Sequence, residues 1–229
     1  MTIQYGDSIS AAPLRWILPD GIQLAYSTAA DGDQRQAPLR QAWLGSLGLA
    51  RPCVVPAQVH GALIADGDDP AALAGADGVV AARGGVVLGV FGADCPGLCL
   101  AAPDAFGLAH CGWRGTAAGI VASLAAALRR RSRHGPERWQ AFIGPGIAGD
   151  RYEVDGPVLA ARTWPAEATA PTRPGHAHLD LAAAIAADCR ALGIVHLTAS
   201  AVRTGRDPRL HSYRHRGPGL VQMLAAWVA

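Results

Sequence analysis

Residues 92–115 read GADCPGLCLAAPDAFGLAHCGWRG, with two apolar runs, Leu98–Ala102 and Phe106–Ala109, separated by Pro103-Asp104. Proline presets φ and aspartate can bond its own backbone, so this pair between apolar runs predicts a hairpin. Going out along one strand and back along the other brings Cys95 and His110 together at the open end, about 5 Å apart, the spacing of neighbouring strands. Glycine-flanked Trp113-Arg114 then leads into an Ala-rich helix expected over Thr116–Arg131, interrupted only by Gly119 and ending in arginines.

The pattern of strand followed by helix continues outward from there. Leu14–Leu18 and Ile22–Tyr26 flank Pro19-Asp20-Gly21, a second hairpin signal. Val79–Val80, Val86–Phe91, Gln140–Ile143 and Ile194–Val202 read as strands, and Pro38–Leu49 and Leu179–Leu192 as helices. Leu220–Val228 is apolar throughout and fits either state, while Arg162–Gly175, with three prolines, reads as a surface loop. Hairpins and crossovers together predict a single α/β domain over residues 1–229, its core about 14–229, with mixed β-sheets and flanking helices.

The chain has 229 residues, half of them hydrophobic, and a formal net charge of +2, so it is neither disordered nor strongly biased toward an anionic partner. All 20 basic residues are arginine, which excludes lysine Schiff-base and P-loop chemistry. An odd count of five cysteines, no leader-like N-terminus and no long apolar run lead us to expect the cytoplasm, with neither membrane nor nucleic-acid partner. Arg129–Arg131 with Arg133 reads as a solvated helix end, and His176-Ala177-His178 as a polar loop beside a helix start. Cys53, Cys99 and Cys189 lie in apolar contexts and read as core.

The hairpin mouth offers Asp94, Cys95, His110, Cys111 and Arg114, and His60 lies in a similar glycine-followed context, Gln58–Gly61. His60, Cys95 and His110 could form an open zinc shell with a free fourth position, although their separations match no finger or ribbon pattern, and on spacing alone a buried cysteine beside a hydrogen-bonded histidine is the better fit. Gly112, Arg114, Gly115 and Thr116 form a glycine-flanked helix start of the kind that binds anions, or else a plain helix start with a surface arginine. His211–Arg216, containing Tyr213 and Arg214, is either a substrate- or phosphate-binding arm or a solvated basic loop.

Several ordered pieces together resemble the YfiH-like laccase-domain family, whose members are also labelled multicopper polyphenol oxidase, purine nucleoside phosphorylase or peptidoglycan editing factor. They are QVHG (Gln58–Gly61), ADC (Ala93–Cys95), HCGWRG (His110–Gly115), IGPGI (Ile143–Ile147) with YEV (Tyr152–Val154), and SYRH (Ser212–His215). The resemblance implies a layered α/β domain and one zinc held by His60, Cys95 and His110. It further implies phosphorolysis of adenosine, inosine, guanosine and methylthioadenosine, together with deamination of adenosine. Zinc makes water nucleophilic enough to attack C6 of adenine, and phosphate in the pocket at Gly112–Thr116, with Arg114 and the Tyr213-Arg214 arm, can attack the ribose C1′. Asp94, Cys95 and Arg114 are the expected catalytic residues. The chain departs from the family pattern at Cys111, where alanine is usual, at Gly146 in place of cysteine, at Val202-Arg203, and in the arm, where SYRR becomes SYRH and a later arginine is missing.

Three other readings remain open on sequence. A copper-dependent polyphenol oxidase is one, since thiolate and imidazole also bind copper. A cysteine hydrolase acting on cell-wall precursors, with Cys95 as nucleophile and His110 as base, is another. The last is a non-catalytic binding protein.

Overall fold

The structure, a computed structural model, describes residues 4–8 and 13–229; the expected domain also spans residues 1–3 and 9–12, which lie outside the described residues. Gly97–Ala101 and Ala105–His110 form the expected antiparallel hairpin, with Gly97 opposite His110. Both strands are buried along their whole length, as unbroken apolar runs require. Alternation sends their side chains to two faces. Leu98, Leu100 and Ala109 pack with Ile120, Leu124, Ile185 and Cys189 of the helices Ile120–Arg131 and Leu181–Ala191. Cys99, Phe106 and Leu108 face a second sheet.

The hairpin lies within a mixed seven-stranded sheet ordered Gln4–Gly6, His196–Ser200, Gln140–Ile143, Gly97–Ala101, Ala105–His110, Gly78–Ala82, Ile64–Asp66. The second sheet has five strands, ordered Leu14–Ile17, Ile22–Tyr26, Gln222–Val228, Val87–Gly92, Cys53–Val54. Trp16, Leu24, Leu88 and Leu224 from the latter meet Phe106, Leu108 and Phe142 from the former, and the Trp16 and Phe142 ring centroids are 5.1 Å apart. Helix Ala37–Ser46 covers the outer face of the five-stranded sheet through Trp43 and Leu44. The result is a layered mixed α/β fold of the expected class. The ambiguous C-terminal run is resolved as a strand, Gln222–Val228, paired on both edges and buried on both faces, which accounts for its apolar character.

Three expectations of local structure need correction, among them the polar loop at His176–His178, where Ala177–Leu179 is a strand. The helix expected at Thr116 begins at Trp113, stops at Ala117 and resumes as Ile120–Arg131. Gly119 sits between the two with φ +86°, a left-handed conformation that only glycine adopts without strain. Arg162–Gly175 is not simply a loop: Thr169–Pro171 pairs with Ala177–Leu179, which also pairs with Glu153–Val154. Pro171 ends an edge strand, where its missing N–H costs no ladder bond. This small sheet packs Tyr152, Trp164 and Leu179 against Ile147 and Leu181.

At the basic helix end, Arg131 pairs with Asp66 and Asp68, and Arg129 lies over Trp139. Among the described residues no helix is long and apolar enough to cross a membrane.

Candidate metal centre and its cleft

Two of the potential ligands lie in loops between strands and the third ends a strand. His60 lies between Cys53–Val54 and Ile64–Asp66, Cys95 between Val87–Gly92 and Gly97–Ala101, and His110 ends its strand. Their donor atoms lie within 4.8 Å of one another, the only such cluster among the described residues. The two imidazoles meet edge-on with centroids 4.8 Å apart. Gly112 backs the cluster: a Cβ there would fall 3.0 Å from Cys95 Sγ and 3.3 Å from His60 Cδ2, so a side chain would crowd the donors.

Asp77, which the sequence reading passed over, is fully buried behind the cluster. His110 Nδ1 donates to Asp77 Oδ1 at 3.0 Å, which leaves Nε2 for the cluster. The backbone amides of Val59, His60 and Gly61 also donate to this carboxylate. Burial pushes the Asp77 carboxyl up, but the His110 and amide hydrogen bonds outweigh it and hold the carboxyl below its ordinary range. Burial likewise opposes ionisation of Cys95, yet hydrogen bonds from His110 and His60 bring its thiol down to about 7. His110 moves the other way: burial disfavours its charged form, and Asp77 and Cys95 raise it. A thiolate-prone cysteine with two imidazoles, one oriented by a carboxylate, is a donor set that fits a zinc ion with an open position.

The cluster opens into a cleft of about 610 Å³ walled by Phe91, Trp113, Tyr152 and Tyr213. Arg114, which stacks on Trp113 at 4.5 Å, and Arg214, which stacks on Tyr152 at 4.8 Å, also line it. Arg35 reaches the rim but is held by Asp33 and the Gly219 carbonyl. Asp94 adopts φ +101°, and both its carboxylate oxygens are engaged. Thr204 Oγ1 donates to Oδ1 at 2.6 Å and the Arg214 amide to Oδ2 at 2.7 Å. Gln58 is a second residue whose role the sequence did not disclose. Its side-chain amide bonds both the carbonyl and the N–H of Phe91, fastening the His60 loop to the neighbouring strand.

Of the expected phosphate pocket, Arg114, Tyr213 and Arg214 line the cleft, whereas Gly112, Gly115 and Thr116 do not. The early helix start explains the difference. Thr116 is fully buried, its amide donates to the Gly112 carbonyl inside the helix, and its hydroxyl donates to the Cys111 carbonyl. The departures from the family pattern mostly fall outside the cleft. Cys111 is buried and its Sγ points to the Ala109 carbonyl, so it adds no fourth donor. His215 packs against Gly205, and Arg203 lines a separate cavity with Asp150, His178 and Arg206.

Comparison with known proteins bears on the family and the fold. Residues 20–227 match a family model described as multi-copper polyphenol oxidoreductase laccase. A Deinococcus radiodurans protein named purine nucleoside phosphorylase is 37% identical over 165 residues, a match spanning 69% of this chain and 62% of that protein, less than two thirds of its length. Purine nucleoside phosphorylase ORF3 of Streptomyces griseus is 34% identical over 214 residues, covering 90% of this chain and 84% of that one. Adenosine deaminase RL5, from an unknown prokaryotic organism, is 33% identical over 120 residues, 47% of this chain and 45% of the other. The crystal structure of YlmD from Geobacillus stearothermophilus superposes with a TM-score of 0.84 at 27% identity, over 96% of this chain and 97% of that one. The layered sheets, the matched span and the ordered motifs agree, and this chain belongs to the multi-copper polyphenol oxidoreductase laccase family, as the YfiH-like resemblance implied.

Proposed function

We propose that this chain is a zinc-dependent purine nucleoside phosphorylase that also deaminates adenosine. One arrangement carries the reading: the His60–Cys95–His110 cluster shares its cleft with the two stacked guanidiniums of Arg114 and Arg214. The names of the Deinococcus, Streptomyces and RL5 relatives support it. The substrates are adenosine, inosine, guanosine and methylthioadenosine. The cysteines are all free thiols, which supports a reducing cytoplasmic setting.

His60, Cys95 and His110 hold the ion, and thiolate with two imidazoles in a three-donor site suits zinc, although copper shares these ligand preferences. Bound zinc supplies Lewis-acid chemistry, including activation of water near neutral pH. Arg114 and Arg214 bind the phosphate dianion through charge-assisted hydrogen bonds, and stacking on Trp113 and Tyr152 fixes the plane of each guanidinium. Phe91 and Tyr152 offer flat walls for the base. In phosphorolysis a phosphate oxygen bonds to C1′ as the C1′–N9 bond breaks, giving ribose 1-phosphate and the free base. In deamination water adds at C6 and ammonia leaves, giving inosine. Asp94, with both oxygens already accepting, acts by holding Arg214 in place rather than as a free base.

The test is product analysis by mass spectrometry on zinc-loaded protein incubated with adenosine, with and without phosphate. Inosine without phosphate, and base plus ribose 1-phosphate with it, are the expected products. Absence of turnover in both conditions, from protein shown to hold zinc, overturns the reading.

A further inference from the structure

We propose that Asp77 is a positioning residue that holds the metal cradle in its binding shape before any metal arrives. The inference rests on the metal reading of His60, Cys95 and His110 and adds a residue to it. Three consecutive amides, of Val59, His60 and Gly61, converge on the Asp77 carboxylate at 3.0, 2.9 and 2.7 Å. Gln58 and His60 both adopt left-handed backbone, with φ +59° and +62°. Left-handed residues curl successive N–H groups into a concave nest that binds anions. Here the anion is the protein's own carboxylate.

The fourth donor to that carboxylate is His110 Nδ1. This bond fixes the orientation of the His110 ring and keeps a proton on Nδ1, so that Nε2 is the nitrogen turned toward Cys95 and His60. One side chain therefore sets two ligands by different means: the backbone of His60 and the ring of His110. The His110 amide also donates to the Asp77 carbonyl at 2.7 Å, so the two residues are joined by main chain as well. With four N–H donors, the buried carboxylate is satisfied without an ion. The loop accordingly owes its shape to Asp77 and not to metal.

Two measurements on the full chain test this. In chelator-treated wild-type protein, hydrogen exchange followed by NMR is expected to show the amides of residues 59–61 protected. If they exchange like free loop amides and become protected only when zinc is added, the metal orders the loop and the proposal fails. Asp77→Asn keeps the volume but turns one acceptor into a donor facing donors. Zinc affinity measured by chelator competition is expected to fall about 10- to 100-fold, and the visible spectrum of the Co(II)-loaded variant to change. A folded Asp77→Asn with wild-type zinc affinity and an unchanged Co(II) spectrum overturns the proposal while leaving the metal reading intact. Failure of the wild type to bind zinc overturns both. Should the variant not fold, the exchange measurement on the wild type decides.

Discussion

Cys95 is where the competing chemistries separate, because a thiolate beside two histidines suits either a metal or a nucleophilic role. As a zinc ligand, it is expected to resist iodoacetamide until a chelator removes the ion, then to be alkylated. Immediate alkylation of the zinc-loaded protein with loss of activity would instead favour the hydrolase. Cys95→Ala and His110→Ala are each expected to lose metal and activity together while keeping the wild-type circular dichroism spectrum; full zinc occupancy in either would remove that residue from the ligand set. Arg114 carries a different expectation. Arg114→Ala should raise the KM for phosphate by about ten- to a hundredfold, the worth of a charged hydrogen bond, with a smaller effect on deamination, which binds no anion. Equal losses in both reactions would end its role as phosphate ligand. At this scale the sequence is legible wherever chemistry is conspicuous: His60, Cys95 and His110 stand in glycine-rich contexts and are reactive types. Asp77 carries no such signal. It reaches His110 only because Gly78 pairs with Ala109 across neighbouring strands, a register that no local pattern announces.

At the scale of elements, the hairpin reads directly because Pro103-Asp104 separates two runs long enough to be strands. The helix start misleads because Trp113–Ala117 is a single short turn-like helix whose boundary depends on how Gly112 packs behind the ligands. The Glu153–Val154, Thr169–Pro171 and Ala177–Leu179 strands are two or three residues long, too short for any period to show. Gly119 offers a clean test of the helix break, since a Cβ there would meet nothing within 4 Å. Gly119→Ala should therefore cost only its left-handed backbone, about 1–2 kcal/mol, read as a lower urea midpoint with zinc affinity unchanged. A stability equal to wild type would mean that the break is not enforced by φ.

For the molecule as a whole, the core between the two sheets is one of two large stores of buried apolar surface, beside the core under the helices. Phe106, fully buried between the sheets, should cost about 3–5 kcal/mol when replaced by alanine, read from denaturant unfolding. A loss below 1 kcal/mol would show that the two sheets are only loosely joined there. On the proposed function, metal adds to this total by linkage. A hundredfold excess of zinc over its dissociation constant is worth about 2.7 kcal/mol and should raise the melting temperature, with EDTA reversing the gain. A melting temperature indifferent to zinc would argue against a site in the native fold. The topology gives this a mechanical side. The His60 loop, the Asp94-Cys95 bend and the Tyr213–Arg214 arm are all segments in which the chain passes between the five-stranded and the seven-stranded sheet. An ion held there rivets the seam at the points where the chain crosses between two layers whose faces pack through side chains. Its affinity then serves as a gauge of the gap: a core substitution far from the cleft that lets one layer slide over the other registers as a change in how tightly the metal is held.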